Sequence, residues 1–218
     1  MDRNNALPDL STDFHAHILP GCDHGCDHPD TARRQLTMAR AARIETVCAT
    51  PHFYPNRETA ASFLERREDS ASSLKDVIEA QDPRILLGAE VLICDGLERM
   101  EELPLLCLEG SEELLLELPF YRWTGNIWQT IFALQERKDI RIVIAHADRY
   151  EPGDIERLIR AGIPLQLNAG CLTHPLRRRR YLSWIREGAV RYLGSDIHML
   201  GSGYRDWEKS RAVLEKYL

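Results

Sequence analysis

Short apolar runs alternate with longer amphipathic or charged stretches along almost the whole chain. The apolar runs end at turn residues and are rich in leucine or β-branched side chains, which is typical of strands covered on both faces. Between them, apolar residues recur at helical spacing, as at Leu36, Ala39 and Ala42. The pattern predicts seven strands, at residues 10–17, 45–50, 84–91, 113–118, 141–146, 164–168 and 190–194.

Helices are predicted between these strands. Pro29 and Asp30 have the residue types that begin a helix, whereas Pro104 interrupts the segment around it. Residues 1–9 are expected to form a polar tail, and the regular alternation predicts one α/β domain over residues 1–218 with a parallel sheet. The predicted helices cover residues 29–43, 57–81, 95–106, 125–138, 152–161, 177–187 and 206–218.

Side chains that bind metal ions stand at or just beyond the end of six of the seven predicted strands. His15 and His17 alternate along the first strand and therefore share one face. A barrel gathers the carboxyl ends of all its strands at one rim, whereas an open sheet spreads them along a crevice. The predicted fold is therefore a distorted, seven-stranded, TIM-like (β/α) barrel.

The candidate ligands outnumber what one tetrahedral zinc ion needs, so two or three divalent ions are expected, with Glu90 as the bridging carboxylate. Mixed imidazole and carboxylate ligands suit manganese, iron or zinc. A separate zinc knuckle at residues 22–28 is disfavoured because its cysteines and histidines are too crowded. The nine candidates are His15, His17, His24, His52, Glu90, Glu117, His146, Asp196 and His198.

The charge of such a site indicates its substrate. Three carboxylates against two or three divalent ions leave a net positive pocket, which favours a phosphate ester attacked by metal-bound hydroxide. Arg149 and Arg205 follow the ligands His146 and His198 in sequence, and a guanidinium matches phosphate oxygens. We expect both arginines to bind the substrate phosphate.

Composition excludes several other classes. The formal net charge of -6 argues against a nucleic acid partner or an anionic membrane. No apolar stretch is long enough for membrane insertion, and the N-terminus lacks the apolar core of a signal peptide, so a cytoplasmic protein is expected. The six cysteines do not resemble a disulfide framework and are expected to be reduced. The arginine run at 177–180 is interpreted as a solvated helix face.

Seven motifs in order resemble those of the PHP (polymerase and histidinol phosphatase) metallohydrolases. Within them, the His-Ile-Leu-Pro-Gly loop from His17 to Gly21 resembles that of the bacterial tyrosine-protein phosphatases found with capsular and exopolysaccharide genes. Four positions depart from that branch: His24 stands where an aspartate is usual, Ala147 and Asp148 alter the motif after His146, and Cys171 replaces a serine. The motifs lie at residues 13–21, 50–52, 88–90, 117–119, 146–150, 168–172 and 195–198.

The resemblance implies a distorted seven-stranded barrel with a trinuclear site that is often supported by manganese. Its substrate would be phosphotyrosine on a bacterial tyrosine kinase that regulates polysaccharide export, and Arg149 and Arg205 would bind the phosphate. The implied ligand sets are His15, His17, Glu90 and Asp196 for the first ion, Glu90, Glu117 and His146 for the second, and His24, His52 and His198 for the third.

Three alternatives stay open on the sequence. The same metals could serve a small-molecule phosphatase, such as one acting on histidinol phosphate. A metal-stabilised binding module without catalysis could use residues 177–180 to hold an acidic partner. Cys171 and Arg177 have the spacing of cysteine-dependent phosphatases, although the segment between them lacks glycine and Pro175 has no N–H to offer a phosphate.

Overall fold

The computed structural model describes residues 7–201 and 203–217, and its paired strands are all parallel. A three-stranded sheet has the order β1-β2-β4, and a six-stranded sheet has the order β3-β5-β6-β7-β8-β9. The strands are β1 (Thr12–Ala16), β2 (Thr46–Ala49), β3 (His52–Phe53), β4 (Arg84–Leu87), β5 (Glu90–Leu92), β6 (Glu113–Glu117), β7 (Arg141–Ile144), β8 (Leu165–Asn168) and β9 (Val190–Gly194).

Each of the seven predicted strand regions contains a strand, but the second is followed by a further short strand, β3, and the third is broken into β4 and β5. Pro51 has no N–H to donate and lies between β2 and β3, while Gly88 and Ala89 separate β4 from β5. At each break the chain passes from the smaller sheet to the larger one. The broken segments place His52 and Glu90 at the start of the second half, where they pair with each other in register.

The α/β class with parallel strands is confirmed, whereas the closed seven-stranded barrel is not. Between β1 and β9 the described residues contain a single bridge, Ala16 with Ile197, rather than a continuous ladder. Two hydrogen bonds flank it, from His17 N to Ile197 O (3.1 Å) and from Asp196 N to His15 O (2.7 Å). The first and last strands are therefore neighbours at their carboxyl ends.

Most predicted helices are present with shifted ends. The second helix stops well short of residue 81, in a run of serines with low helix propensity. Pro104 lies in the first turn of α3, where a missing N–H costs nothing, and a 3-10 helix precedes it at Leu97–Arg99. The helices are α1 (Pro29–Ala41), α2 (Ala60–Ser72), α3 (Leu103–Leu106), α4 (Gly125–Gln135), α5 (Pro152–Arg160), α6 (Arg178–Arg186) and α7 (Gly203–Tyr217).

The ends of the chain are only partly described. Of the predicted tail, residues 1–6 lie outside the described residues, and residues 7–9 have no regular structure. Leu218, predicted to end the last helix, also lies outside them. Over the described ranges, none of the helices has the length and hydropathy needed to cross a lipid bilayer.

Two groups of buried apolar residues form the core. The larger lies between the helices and the sheets. The smaller, called here the inner apolar layer, consists of Phe14, Cys48, Leu115, Val143 and Ala145. These side chains come from β1, β2, β6 and β7 and from the residue after β7, on the strand face opposite to the one that packs in the larger group.

Candidate metal centre

A bulge in β1 places consecutive side chains in the same interior. The register of β1 against β2 shifts between Asp13 and Ala16. Phe14 belongs to the inner apolar layer, yet His15, the next residue, lies with its Nε2 atom 3.2 Å from Glu90 Oε2. Strict alternation would send these two side chains to opposite faces, and a bulge re-aims one of them.

Glu90 lies at the centre of a buried cluster of imidazoles and carboxylates. Its Oε2 atom is 3.2 Å from His15 Nε2, 3.3 Å from His17 Nε2 and 3.0 Å from His52 Nδ1. Its Oε1 atom is 2.8 Å from His146 Nε2. We call the whole group the histidine–carboxylate cluster; it contains His15, His17, His52, Glu90, Glu117, His146, Asp196 and His198.

The spacing of the cluster fits divalent cations. Ligand atoms about 2.1 Å from an ion at tetrahedral angles lie about 3.4 Å apart. His15 Nε2 lies 3.0 Å from His17 Nε2, and these atoms are 3.6 and 3.4 Å from Asp196 Oδ1. Three triplets satisfy the spacing of a common ion: His15, His17 and Asp196; His52, Glu90 and Glu117; His17, His52 and His198.

Several polar atoms of the cluster are buried without a hydrogen-bond partner. They are His52 Nδ1 and Glu90 Oε2, which lie 3.0 Å apart but are not aligned as a hydrogen bond, and His146 Nδ1 and His198 Nε2. An unpaired polar atom in the interior is costly, and such atoms are normally satisfied by protein, water or an ion. The donor set therefore fits bound divalent ions better than a core held by hydrogen bonds alone.

The charges of the cluster are mutually dependent. Burial alone disfavours ionisation of Glu90, but the imidazoles of His15, His146 and His17 hold its pKa well below the usual value. Burial and the neighbouring Glu90 raise the pKa of Glu117. His198 has a pKa lowered to about 4 by burial and by the nearby His17. The site thus keeps His198 neutral, the form in which histidine binds metal.

Two residues that sequence reasoning missed orient the ligands. Asp23 Oδ2 accepts a hydrogen bond from His17 Nδ1 (2.7 Å) and another from the backbone N of His52 (2.9 Å). Gln166 Oε1 accepts from His15 Nδ1 (3.2 Å) and from the backbone N of His146 (2.6 Å). Protons held on Nδ1 leave the Nε2 lone pairs of both histidines for a metal.

A sequence signal existed for each of these two residues. Gln166 is a polar residue inside the apolar strand β8 and is fully buried. Asp23 belongs to the near repeat Cys-Asp-His, whose second copy has Asp27 at the corresponding position. Asp27 is exposed and accepts from Thr31 Oγ1, so only the first copy contributes to the cluster.

The ninth predicted ligand, His24, lies at the solvent edge of the cluster. Its side chain is exposed, and its ring centroid is 4.7 Å from the centroids of both His52 and His198. It is stacked on the His52 ring rather than facing a carboxylate. Its role as a ligand stays a prediction.

The two predicted phosphate-binding arginines differ in their surroundings. Arg149 is the last residue of the 3-10 turn after β7, and its guanidinium contacts the Asp196 carboxylate. Its side chain lines an open cavity of about 450 Å³ together with Asn168 and His198. Arg205 is exposed in the first turn of α7, between Gly203 and Asp206, which line the same cavity.

Fold and cluster together define a parallel α/β protein with a candidate multinuclear metal centre. A family model described as "Capsular polysaccharide synthesis, CpsB/CapC" matches residues 11–218, so the chain belongs to this family. The resemblance of the motifs to the capsular branch is thereby confirmed. A search of curated proteins finds no match.

A solved structure has the same fold. It comes from a description of YwqE from Bacillus subtilis and CpsB from Streptococcus pneumoniae as "unique metal-dependent tyrosine phosphatases". The two chains share 24% sequence identity, and the match covers 94% of this chain and 86% of the other, with a TM-score of 0.76. At this identity the likeness establishes the architecture, and the chemistry is argued from the site.

Proposed function

We propose that this protein is a metal-dependent protein-tyrosine phosphatase that acts on a tyrosine kinase of capsule or exopolysaccharide biosynthesis. The observation that carries the proposal is the ring of nitrogen and oxygen ligands around Glu90, with an arginine at its open side. Membership of the capsular polysaccharide family and the fold shared with metal-dependent tyrosine phosphatases support it.

The cluster would hold two or three divalent ions. His15, His17 and Asp196 form one ligand group, and Glu90 with Glu117 and His52 forms a second that also approaches His146. His24 and His198 lie where they could complete a third. When bound, the ions supply Lewis acidity toward a phosphoryl oxygen and lower the pKa of a water molecule. Manganese is the proposed ion, with iron and zinc as the alternatives, since these ligands do not select among them.

The remaining residues of the rim bind and orient the substrate. Arg149 offers a fork of N–H donors to phosphate oxygens, and its contact with Asp196 aims that fork at the cluster. Asn168 Nδ2 donates to the same carboxylate oxygen, Asp196 Oδ2 (3.0 Å), while Asp196 Oδ1 faces His15 and His17. Arg205 is proposed to reach the same phosphate from α7. The seven strand regions are proposed to form one distorted barrel, with β1 beside β9.

Metal removal and restoration test the proposal. Protein of known elemental content is treated with a chelator, and hydrolysis of a phosphotyrosyl peptide is measured before and after manganese, iron or zinc is added back. We expect activity to disappear on chelation and to return with metal. Full activity in metal-free protein would refute the proposal, and preferential turnover of histidinol phosphate would favour the small-molecule phosphatase.

The cysteine-dependent alternative is disfavoured by the surroundings of Cys171. This residue lies in the 3-10 helix Ala169–Thr173 rather than in a loop that cradles a phosphate. Burial and the nearby Asp148 raise the pKa of its thiol well above the usual value, so it is not a thiolate. The Cys171→Ser variant should therefore retain activity, and loss of activity with full metal content would favour the thiol mechanism.

A further inference from the structure

Two aromatic side chains are exposed next to the metal centre. Phe120 and Tyr121 follow Glu117 at the end of β6, and their exposed fractions are 62% and 69%. They belong to residues 119–123, called here the aromatic loop. An exposed pair of large rings at the mouth of a buried polar site is typical of a binding surface.

Phe120 is packed on one side against the site itself. Its ring centroid is 5.6 Å from that of His146 and 5.6 Å from that of Tyr150, with interplanar angles of 26° in both cases. Because more than half of the side chain is still exposed, one surface of the ring is free to receive a further group. A group stacked there would lie one ring away from a proposed metal ligand.

The aromatic loop is held in place by buried neighbours. Trp123 Nε1 donates to the Pro119 carbonyl (2.9 Å), and the Trp123 ring meets Tyr150 edge-on at 5.3 Å. The backbone N of Leu118 donates to Tyr150 Oη (2.9 Å). The surface that Phe120 presents is therefore positioned before any ligand arrives, which reduces the entropy lost on binding.

Arg149 connects this surface to the phosphate side. The aromatic loop and residues 149–151 and 154 line a cavity of about 410 Å³, and Arg149 also lines the cavity that contains Asp196 and His198. An aryl phosphate is a phosphoryl group with a ring one oxygen atom away. A ligand with its phosphate at Arg149 can therefore reach the aromatic loop with its ring.

We infer that the aromatic loop is the subsite for the phenyl ring of the substrate, with Phe120 as the stacking residue that makes the enzyme prefer aryl over alkyl phosphates. The inference rests on the proposed function and names a determinant of its specificity. Stacked aromatic pairs prefer centroids several ångströms apart with an offset, which an exposed ring allows. Loss of one such pair should weaken binding about three- to tenfold.

Calorimetry with two non-hydrolysable ligands tests the subsite. Benzylphosphonate, whose CH2 group replaces the ester oxygen of an aryl phosphate, differs from methylphosphonate only in the phenyl ring, so the affinities of the two for metal-loaded protein separate ring binding from phosphate binding. Phe120→Ala should weaken the binding of benzylphosphonate about three- to tenfold and leave that of methylphosphonate unchanged. Phe120→Leu should be intermediate, and Leu105→Ala, which removes an exposed side chain at another surface, should change neither affinity.

The other outcomes overturn the inference. Equal weakening of both phosphonates would mean that Phe120 only supports His146, and unchanged affinities would place the ring elsewhere. Kinetics give a second readout: in Phe120→Ala the KM for a phosphotyrosyl peptide should rise while that for a phosphoseryl peptide should not. Wild-type protein that binds benzylphosphonate more tightly than methylphosphonate but hydrolyses no aryl phosphate would contradict the proposed function and support the ring subsite.

Discussion

The inner apolar layer and the histidine–carboxylate cluster share strands β1 and β6 but meet different physical demands. On β6, Leu115 belongs to the layer and Glu117, two residues further on, belongs to the cluster. Leu115 and Glu90 are almost equally buried, at 2% and 1% exposure. The layer is satisfied by packing alone, whereas the cluster holds polar atoms that lack partners.

This difference separates stability from function. Burial of apolar area stabilises the fold by about 25 cal/mol per Å². Desolvated carboxylates and imidazoles have the opposite effect unless they are paired. We therefore expect variants of the layer to lower the free energy of unfolding while the site keeps its chemistry, and variants of the cluster to abolish the chemistry in a folded protein.

Glu90→Gln should have the largest effect. The amide keeps the shape of the side chain but removes the charge that faces His15, His17, His52 and His146. Phosphatase activity should fall by about 100-fold or more, because bound ions contribute several kcal/mol of transition-state stabilisation. Elemental analysis should show lost metal, and circular dichroism should show a folded protein.

A matched control is Glu65→Gln, which neutralises an exposed carboxylate on α2. This variant should match wild type in activity and metal content. A Glu90→Gln protein that retains both would show that the cluster is a polar core rather than a metal centre.

Leu115→Ala should lower stability and leave catalysis unchanged, the reverse of Glu90→Gln. Its side chain is packed in the inner apolar layer, and its truncation leaves a cavity that costs about 2–5 kcal/mol of the free energy of unfolding. Urea unfolding of metal-free protein measures the loss of unfolding free energy. In the absence of urea, where the variant is folded, the kcat of the metal-loaded enzyme should stay near the wild-type value. A large fall in kcat alongside the lower free energy of unfolding would show that packing in the layer also positions the residues of the cluster.

Asp23→Asn should have a smaller effect on the cluster. Its carboxylate holds His17 by a 2.7 Å hydrogen bond, and the loss of such an orienting partner typically lowers metal affinity about 10- to 100-fold. Metal titration followed by fluorescence or calorimetry measures the change. Asp27→Asn alters the corresponding position in the second copy of the repeat, where the side chain accepts a hydrogen bond from Thr31 Oγ1. This variant should leave metal affinity unchanged.

Much of the division between the inner apolar layer and the histidine–carboxylate cluster could be predicted from the sequence. The leucines of β6 and the ligands at strand ends follow from strand periodicity, and each predicted strand region contains a strand. Eight of the nine predicted ligands meet in one cluster, and only His24 lies apart at the solvent edge. These features depend on local pattern and on the rule that parallel strands share their carboxyl edge.

Other features depended on contacts distant in sequence. The bulge that turns both Phe14 and His15 inward is set by pairing with β2, which alternation along one strand does not encode. Gln166 acts on His15 across 151 residues of chain. Barrel closure likewise depends on how β1 meets β9. The exposure of Phe120 could not be predicted either, because phenylalanine is more often buried in the core and its residue type alone does not indicate a surface position.

Glu113→Gln should have the smallest effect on the free energy of unfolding. On β6, Glu113 lies two residues before Leu115 of the inner apolar layer, whereas Glu117 of the cluster lies two residues after it. Glu113 begins β6, and its carboxylate accepts from the hydroxyl of Tyr192, whose ring stacks on Phe14 at 3.8 Å. Burial raises the pKa of Glu113, more than Arg191 and Arg141 lower it.

The raised pKa of Glu113 determines how its contribution to stability changes with pH. A folded pKa above the unfolded value means that the protonated carboxyl contributes stability, which is present below the unfolded pKa and is lost as the pH rises through the folded pKa. Glutamine cannot ionise and still accepts from Tyr192. Glu113→Gln should therefore be more stable than wild type at pH 7 and equal to it below about pH 4, where both forms are neutral. Thermal unfolding of both proteins across this range measures the difference. Identical curves at pH 7 would show that the Glu113 carboxylate remains solvated in the folded protein and is not desolvated by the neighbouring inner apolar layer.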